Sequence, residues 1–520
     1  MISSSILTIL ICAKLTTSTF GFLTGNGIII KNKKSFRSSF LLASFVLEET
    51  SDETLRDLAT DALLPVIYNS WNEELSKRDG NNDHLYTESS TIDAERALKK
   101  CLRSYQKIII EKDIGIEERQ RSRKRLNDLV LGTSLMRIRY QFLCKNEFDN
   151  SQSKSEKRKV IRRMIDMHAD FLDGNINEEM LKPIDAIESK IERISVKYSL
   201  PVFFVEMMVQ QYGSNNAERF ADTFSKPGPI YIRRNSIRCR SDQVLIQRLK
   251  DECFAKVLKT KLEKKNHPDG CLQLLPDENW NSSKISIWSM NAWKNGWFEV
   301  QDAGSQIIAS ALEAKHHETI VDYCCGNGGK TFAIASYMNS DAVERRCQPN
   351  GNIIAHDIVN DRMKQLKGSF TRTGCNSLQP DLVKTTLDDG VQFTGSIADA
   401  VLVDAPCSST GVLRRRPSQR FKISQEEITK DFPRIQLKIL KEASNLVKPG
   451  GRLVYATCSI FAHENQDVAN AFENSIHFID KWEPWPFQNH DNNEQSHYKS
   501  LLPNADNDGF FIARWKRKTQ

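Results

Sequence analysis

Several features are scarce or missing in this chain of 520 residues. Its 12 cysteines contain no CxxC pair, and the only adjacent two are Cys324 and Cys325. That excludes a disulfide framework or a zinc site of ordinary spacing. It points to reduced thiols, most of them inert core residues. No segment is apolar for long enough to cross a bilayer as a helix; "ILTILICA" (Ile6 to Ala13) has only signal-peptide length. Nothing repeats at a fixed period. The GxGxxG fingerprint and the Walker spacing between glycine and Gly-Lys are both missing. Acidic residues are absent from Met1 to Leu47, and the first is Glu48.

What is present is ordinary in bulk: 39% hydrophobic and 27% charged residues, as in a soluble globular protein. The length suits roughly two to four domains. A formal charge of +7 is compatible with a polyanionic partner without requiring one. The acid-free start is rich in hydroxyls and basic residues ("KNKKSFRSSFLLAS") and resembles an organelle transit peptide. With the apolar stretch and the Phe-containing "TSTFGF" before it, it resembles the two-part presequences of algae with complex plastids. Residues 1–47 are therefore expected to be a targeting presequence, plastid rather than mitochondrial, with a disordered tail as the plainer alternative. No stable membrane association is expected, and a monomer is.

Residues 48–225 read as helical. "TLRDLATDALLPVIYNSW" and "AERALKKCLRSYQKIII" carry apolar residues at three- and four-residue spacing. Gln120 to Leu143 does the same, behind five basic residues between Arg119 and Arg125. "SKRDGNNDH" and "CKNEFDNSQSKSEKRK" look like solvated loops. "PIDAIESKIERISVKYSLPVFFVEMMVQQYG" adds two helices jointed at "SLP". Residues 226–300 look like a small α+β unit. It opens with the strand "IYIRR" and ends aromatic-rich, with Trp288, Trp293 and Trp297 expected to pack in its core. From 301 to 520 strands ("TIVDYCC", "GNIIAHD", "DLVKTTL", "ADAVLVD", "GRLVYATCS") alternate with helices, which implies a doubly wound, mostly parallel sheet. Ligands of such sheets sit beyond the carboxyl ends of the strands.

The polar motifs fall at those ends. In "VDYCCGNGGKT" a strand runs into Cys324, Cys325, Gly326, Asn327, Gly328, Gly329 and Lys330, a turn whose glycines admit a close ligand. A plain strand-helix turn is the alternative. Asp357 ends the next strand, where an acid commonly takes the ribose hydroxyls of an adenosine cofactor; a surface aspartate is the rival reading. Asp388 or Asp389 follows the strand after that, and the sequence does not choose between them. "DAPCSSTG" places Asp404 and Cys407 at one strand end, and "YATCSIFAHEN" places Cys458 at another. Each cysteine alone could be nucleophile, metal ligand, redox group or packing residue. Between the two, Ser424 with Glu427 fits a capping box, Pro433 divides the helical segment, and "KPGG" ends it. The crossover returns the chain to a parallel strand, so both thiols can reach one cleft.

A chemistry that needs such a set is methylation at carbon 5 of cytosine. That carbon is a poor nucleophile until a thiolate adds to carbon 6. A free thiol is mostly protonated at neutral pH, and Lys330 is a candidate to raise its ionised share. Asp404 could hold the amino and ring-nitrogen edge of the base.

"DAPCSSTGVLRRRP", "KPGGRLVYATCS", "HENQDV" and "LLPNADNDGFFIARWK" resemble the RsmB/NOL-NOP-Sun family of RNA cytosine-5 methyltransferases from about Pro229 to the C-terminus. The helical part, with "LVLGTSLMRIRYQFL" and "ISVKYSLPVFFVEMMVQQYG", resembles more loosely the NusB-like domain of the bacterial RsmB (Sun) proteins. The resemblance implies a Rossmann-like class I methyltransferase domain preceded by an all-α NusB-like domain and a small α+β linker. It implies S-adenosyl-L-methionine as cofactor, held by residues 324–330, Asp357, Asp389 and Asp404, and small-subunit rRNA as partner. It also settles the thiols: Cys458 attacks, and Cys407 serves release of the methylated RNA. Arg414, Arg415 and Arg416, and the arginines of "IYIRR", are expected to meet phosphates. The family's loop commonly reads CAAPGGK, so Asn327 replaces a proline; Ser409 replaces a glycine, and Asn504 a histidine. The rivals are a non-catalytic RNA-binding assembly factor on the same fold and a nicotinamide-dependent oxidoreductase. The paired thiols and the missing GxGxxG argue against them.

Overall fold

The computed structural model describes residues 51–519 apart from 79–88, 113–114, 152, 176–180, 254–255, 260–267, 269, 276–286, 376–381, 389–392, 394, 476–477 and 488–495. The stretch 1–47 and the candidate Asp389 lie outside the described residues. The chain divides into two compact units, one reaching Ala186 and the other running from Ile187 to Gln520.

In the first unit the long helices Asp52–Arg78, Ser89–Lys112, Ile116–Leu135 and Lys154–Asp173 enclose a core that includes Leu63, Tyr105, Leu129, Ile161 and Met164. The polar stretch from Cys144 to Lys159, expected to be a loop, is largely helical: Lys145–Asp149 is a short helix and Lys154 begins a long one. Its polarity misled. Ser153 and Glu156 cap each other's backbone N–H groups, and the apolar face starts only at Val160. Arg125, the last of the basic cluster, is tied to Asp52 at 2.9 Å and Asp173 at 2.7 Å.

The second unit opens with the helices Lys190–Tyr198, Val202–Tyr212 and Ser214–Ser225. The joint at "SLP" is real: Ser199 takes a left-handed φ of 53°, and Ser195 Oγ donates to Leu200 O at 2.6 Å. Composition put the boundary after residue 225; the contacts put it after Ala186. The reason is a shared core. Phe204, Met208, Phe220 and Phe224 pack with Leu413, Ile423, Ile428, Ile460 and Phe461 from farther along the chain. These helices are walls of the second unit, although their own sequence reads like that of the first.

Next comes a small antiparallel sheet of β1 (Ile230–Arg234), β2 (Lys256–Lys259), β3 (Cys271–Leu275) and β4 (Phe298–Val300), in the order β2-β3-β1-β4. Trp293 and Trp297 pack half-buried against its core, and Trp288 meets Trp293 edge to face, as expected. The arginines of "IYIRR" do not point at a ligand. Arg233 is fully buried with Nε on Gln301 Oε1 at 2.7 Å, and Arg234 is buried against Asp242 at 2.6 Å. Neighbouring residues point to opposite faces, and β1 is covered on both, so both arginines find their partners inside the fold.

The large sheet holds β5 (Thr319–Asp322), β6 (Asn352–Ala355), β7 (Val383–Thr385), β8 (Ala398–Asp404), β9 (Val447–Thr457), β10 (Trp482–Pro484), β11 (Tyr498–Leu501) and β12 (Phe510–Arg517). Its order is β10-β12-β9-β8-β5-β6-β7, with β11 paired to β12. Strands β5 to β9 run parallel, while β12 is antiparallel to β9. "KPGG" does not end the preceding helix, which stops at Ser444. It lies in the opening of β9, where Gly450 takes a positive φ of 77°. The order runs from β5 outward to β7 and then jumps back to β8 on the other side. The crevice between the ends of β5 and β8 is therefore the switch point where ligands of such sheets bind. Asp322 and Asp404 are the last residues of those two strands.

Candidate active site

The glycine turn leaves β5 into the helix Gly329–Glu344. Cys325 N donates to His356 O at 2.8 Å, which ties the turn to the end of β6. Gly328 caps the helix at φ 86°, where a Cβ would meet Leu366 Cδ1 at 2.7 Å. Gly326, at φ 54°, faces open space. Asp357 is buried and accepts from Gly326 N at 3.0 Å and from Val359 N at 2.8 Å. It thus fastens the turn as well as standing beside it. Asp388 is spent on its own turn: it accepts from Thr385 N at 2.6 Å and pairs with Lys367.

Three carboxylates meet one ammonium here. Lys330 Nζ lies 2.6 Å from Asp404 Oδ2. Asp322 is fully buried; Thr331 Oγ1 donates to its Oδ2 at 2.7 Å, while its Oδ1 has no hydrogen-bond partner among the described residues. Burial, with the charges of Asp404 and Asp357, pushes Asp322 up to about 7. Lys330 offsets Asp404, and Arg362 Nη1 lies 3.4 Å from Asp357 Oδ2, so two of the three carboxylates are paired. Ile358, next to Asp357, is 92% exposed, an apolar side chain with nothing over it. Sequence reading missed both Asp322 and Ile358. The signals were a strand-final acid and an isoleucine directly after one.

The two thiols come together. Cys407, after β8, and Cys458, after β9, are half-buried with sulfurs 3.1 Å apart. Cys458 N also donates to Cys407 Sγ at 3.3 Å, and Ser409 Oγ lies 3.5 Å from Cys458 Sγ. The hydrogen bond from Cys407 pulls Cys458 below the ordinary thiol range against the opposing effect of burial. Cys407 moves the other way: the bond to Cys458, then burial, raise it far above that range. The opposite directions favour the proton on Cys407 and ionisation at Cys458, the sense a nucleophile at Cys458 needs. Ser409 adopts φ 60°, the left-handed region, which explains why glycine suits the position. Among the described residues no group of His, Cys, Asp and Glu is arranged to hold a metal ion.

The three arginines separate. Arg414 is buried on Asp508, and Arg415 bridges Asp508 and Asp302, the latter at 2.6 Å. Neither is available to a phosphate, contrary to expectation, because Asp508 neutralises them inside the fold. Arg416 alone is exposed, and its charge acts on Cys458. Asn504 shapes the turn that receives Arg414, whose Nη1 donates to its carbonyl oxygen at 2.9 Å.

Residues 309–516 match the family described as 16S rRNA methyltransferase RsmB/F. In this part the chain is similar to the RsmB/F family. Curated relatives include the probable ribosomal RNA small subunit methyltransferase B of Bacillus subtilis (strain 168), 29% identical over 58% of this chain and 63% of the relative. That of Synechocystis is 29% identical over 63% and 69%. The 28S rRNA (cytosine-C(5))-methyltransferase of Mus musculus is 26% identical over 62% and 38%. The chain thus spans less than two thirds of the Bacillus relative and well under half of the mouse one. Among solved structures, PH0851 superposes with a TM-score of 0.58 at 22% identity, over 88% of this chain and 98% of that one. A methyltransferase homologue from Pyrococcus horikoshii gives 0.50 at 24%, over 64% and 100%. Both share the fold. In RsmB/F terms the glycine turn, Asp404 and the two thiols all lie within the matched segment.

Proposed function

We propose that this protein is an S-adenosylmethionine-dependent RNA cytosine-5 methyltransferase. One observation carries the reading: two thiols 3.1 Å apart beside the Lys330–Asp404 pair at the switch point of the sheet. The cofactor suits the residues present. The turn at Gly326 leaves room for close approach, Asp322 Oδ1 is buried without a hydrogen-bond partner among the described residues, and Ile358 offers an apolar face. When bound, S-adenosylmethionine supplies an electrophilic methyl group.

The chain's own residues do the rest. A target base must leave its stack to reach Cys458. The Cys458 thiolate adds to carbon 6 of the cytosine, and its electron pair forms the new C–S bond. The ring's π pair moves to make carbon 5 nucleophilic. Asp404, one-third exposed and held by Lys330, faces the amino and N3 edge and stabilises the protonated ring. Once carbon 5 carries the methyl group, its proton must go and the C–S bond must break. Covalent attachment consumes the charge on Cys458. The largest cause holding the proton on Cys407, its bond to that sulfur, goes with it. Cys407 then gives its proton to solvent and, as a thiolate, takes the carbon 5 proton; the C–H pair re-forms the ring double bond and the C–S pair leaves with Cys458.

The finer reading is that the RNA is small-subunit rRNA of an organelle, plastid rather than mitochondrion. It is supported by the names of the relatives and by the acid-free, basic N-terminus. The helical first unit would dock the RNA through phosphates, a NusB-like role, and Arg416 would meet the backbone beside the target. The test is transfer of labelled methyl from S-adenosylmethionine to rRNA, read as 5-methylcytidine and mapped by bisulfite sequencing. Cofactor-dependent label on cytidine is expected; no label on any rRNA would overturn the reading.

A further inference from the structure

Two identical groups in contact do not decide by themselves which keeps the proton. The surroundings must differ, and one difference is Glu464, whose charge opposes ionisation of Cys407. Its side chain is fully buried, and among the described residues no Lys, Arg or His is paired with it. Instead it collects donors from both cysteine loops. Ser408, next to Cys407, gives its backbone N–H to Oε1 at 2.8 Å and its hydroxyl to Oε2 at 2.5 Å. Ser459, next to Cys458, gives its hydroxyl to the same Oε2 at 2.5 Å. Gln436 Nε2 donates to Oε1 at 3.1 Å and to Pro406 O at 3.0 Å. Burial pushes its carboxyl above the ordinary range, while the hydrogen bonds from Ser408, Ser459 and Gln436 favour the ionised form.

We propose that Glu464 is the positioning residue that locks the two cysteine loops together and, through its charge, keeps the shared proton on Cys407 so that Cys458 attacks. The inference rests on the methyltransferase reading for its purpose, though not for its geometry. The other charged groups facing the pair do not all favour it: Asp404 opposes ionisation of Cys458. Lys330 and Asp404 largely cancel each other. Arg416 places positive charge on the Cys458 side. Tyr455, buried and neutral, gives its hydroxyl to the backbone oxygen of Glu464 at 2.6 Å. Negative charge thus stands behind Cys407 and positive charge in front of Cys458. The field of Glu464 acts on Cys407 and opposes its ionisation, in line with the raised proton affinity of that thiol. No role for this residue follows from its sequence context, where it sits in "HENQDV" after the nucleophile loop.

Thiol labelling tests this without RNA or cofactor. Full-length protein is treated with iodoacetamide between about pH 6 and pH 9, and labelling at each cysteine is read by mass spectrometry. Wild-type protein should label Cys458 at least about tenfold faster than Cys407, a difference worth one pH unit in thiolate share. Glu464→Gln keeps the shape and removes the charge, with an amide nitrogen that donates to the Ser408 and Ser459 hydroxyls instead of accepting from them, and should bring that ratio down about tenfold. Glu464→Asp keeps the charge and should keep the preference. An unchanged ratio in Glu464→Gln would overturn the proposal. So would equal labelling in wild-type protein, a result that needs no variant to fold. A protein that labels as expected yet methylates no RNA would overturn the functional reading alone.

Discussion

Cys324 and Cys325 are neighbours in the chain; Cys407 and Cys458 are 51 residues apart. The first pair never becomes a pair. Cys325 is buried in the sheet core, and Cys324 faces a pocket of three aspartates. Burial, followed by those negative charges, drives both thiols well above the ordinary range. The distant pair touches, and a single hydrogen bond splits it into a donor and an anion. Both regions are strand-end loops at one edge of one sheet, and both bury their sulfurs. The difference lies in what each sulfur meets. Carboxylates raise both Cys324 and Cys458, but only Cys458 has another thiol's hydrogen bond and an arginine to bring it down.

The sharpest way to break this contrast is to remove each thiol of the second region in turn. Cys458→Ala should form no covalent RNA adduct and lose at least about a thousandfold in methyl transfer, since covalent activation goes with it. Cys407→Ala should still attack and should accumulate the adduct, seen as a protein band shifted on a denaturing gel. An adduct in the Cys458 variant instead would exchange the two roles.

How much of this could be read from residues alone follows the same divide. Strand-end placement put Asp357, Asp404, Cys407 and Cys458 at one edge, because alternating strand and helix leaves little freedom in where a parallel strand points. Capping pairs such as Ser424 and Glu427 are equally local, and Ser424 N does donate to Glu427 Oε2 at 2.7 Å. The failures are long-range. Arg414 and Arg415 look like a basic clamp until Asp508, some ninety residues on, is found beneath them. Arg233 looks like a phosphate ligand until β1 is seen to be covered. The helices 190–225 look like the first unit until Ile460 and Phe461 are found in their core. Gln211 and Tyr212 even grip the carbonyl oxygen of Ile460, two residues past the nucleophile. Charge and periodicity report what a residue is; only the folded chain reports its partner.

A middle-sized effect would sharpen the contrast through Asp322, the buried acid common to the surroundings of Cys324 and Cys325. Its folded-state value is raised to about 7 against an ordinary 3.8. The folded state therefore holds this proton more tightly than the unfolded one. Stability contributed here is full below the ordinary value and is lost as pH climbs toward about 7. Protein without cofactor should melt at lower temperature at pH 8 than at pH 5, and Asp322→Asn should flatten that slope. A cationic ligand in the pocket should flatten it too, by letting the acid ionise without penalty. A pH slope that survives in the Asn variant would place the titrating group elsewhere.

The smallest expected effect is at the adjacent pair itself. Cys324→Ser and Cys325→Ala should each change methyl transfer by less than about fivefold, because neither sulfur is ionised near neutrality and surface or packing changes of this size are modest. Cys325 should cost slightly more in stability, since its side chain fills the core beside Phe332 and Ala355. Iodoacetamide should leave both nearly unlabelled under conditions that saturate Cys458. If Cys324, the half-exposed one, labels as fast as Cys458, then the aspartates around it do not set its proton affinity. The contrast between the two regions would then be one of access rather than charge.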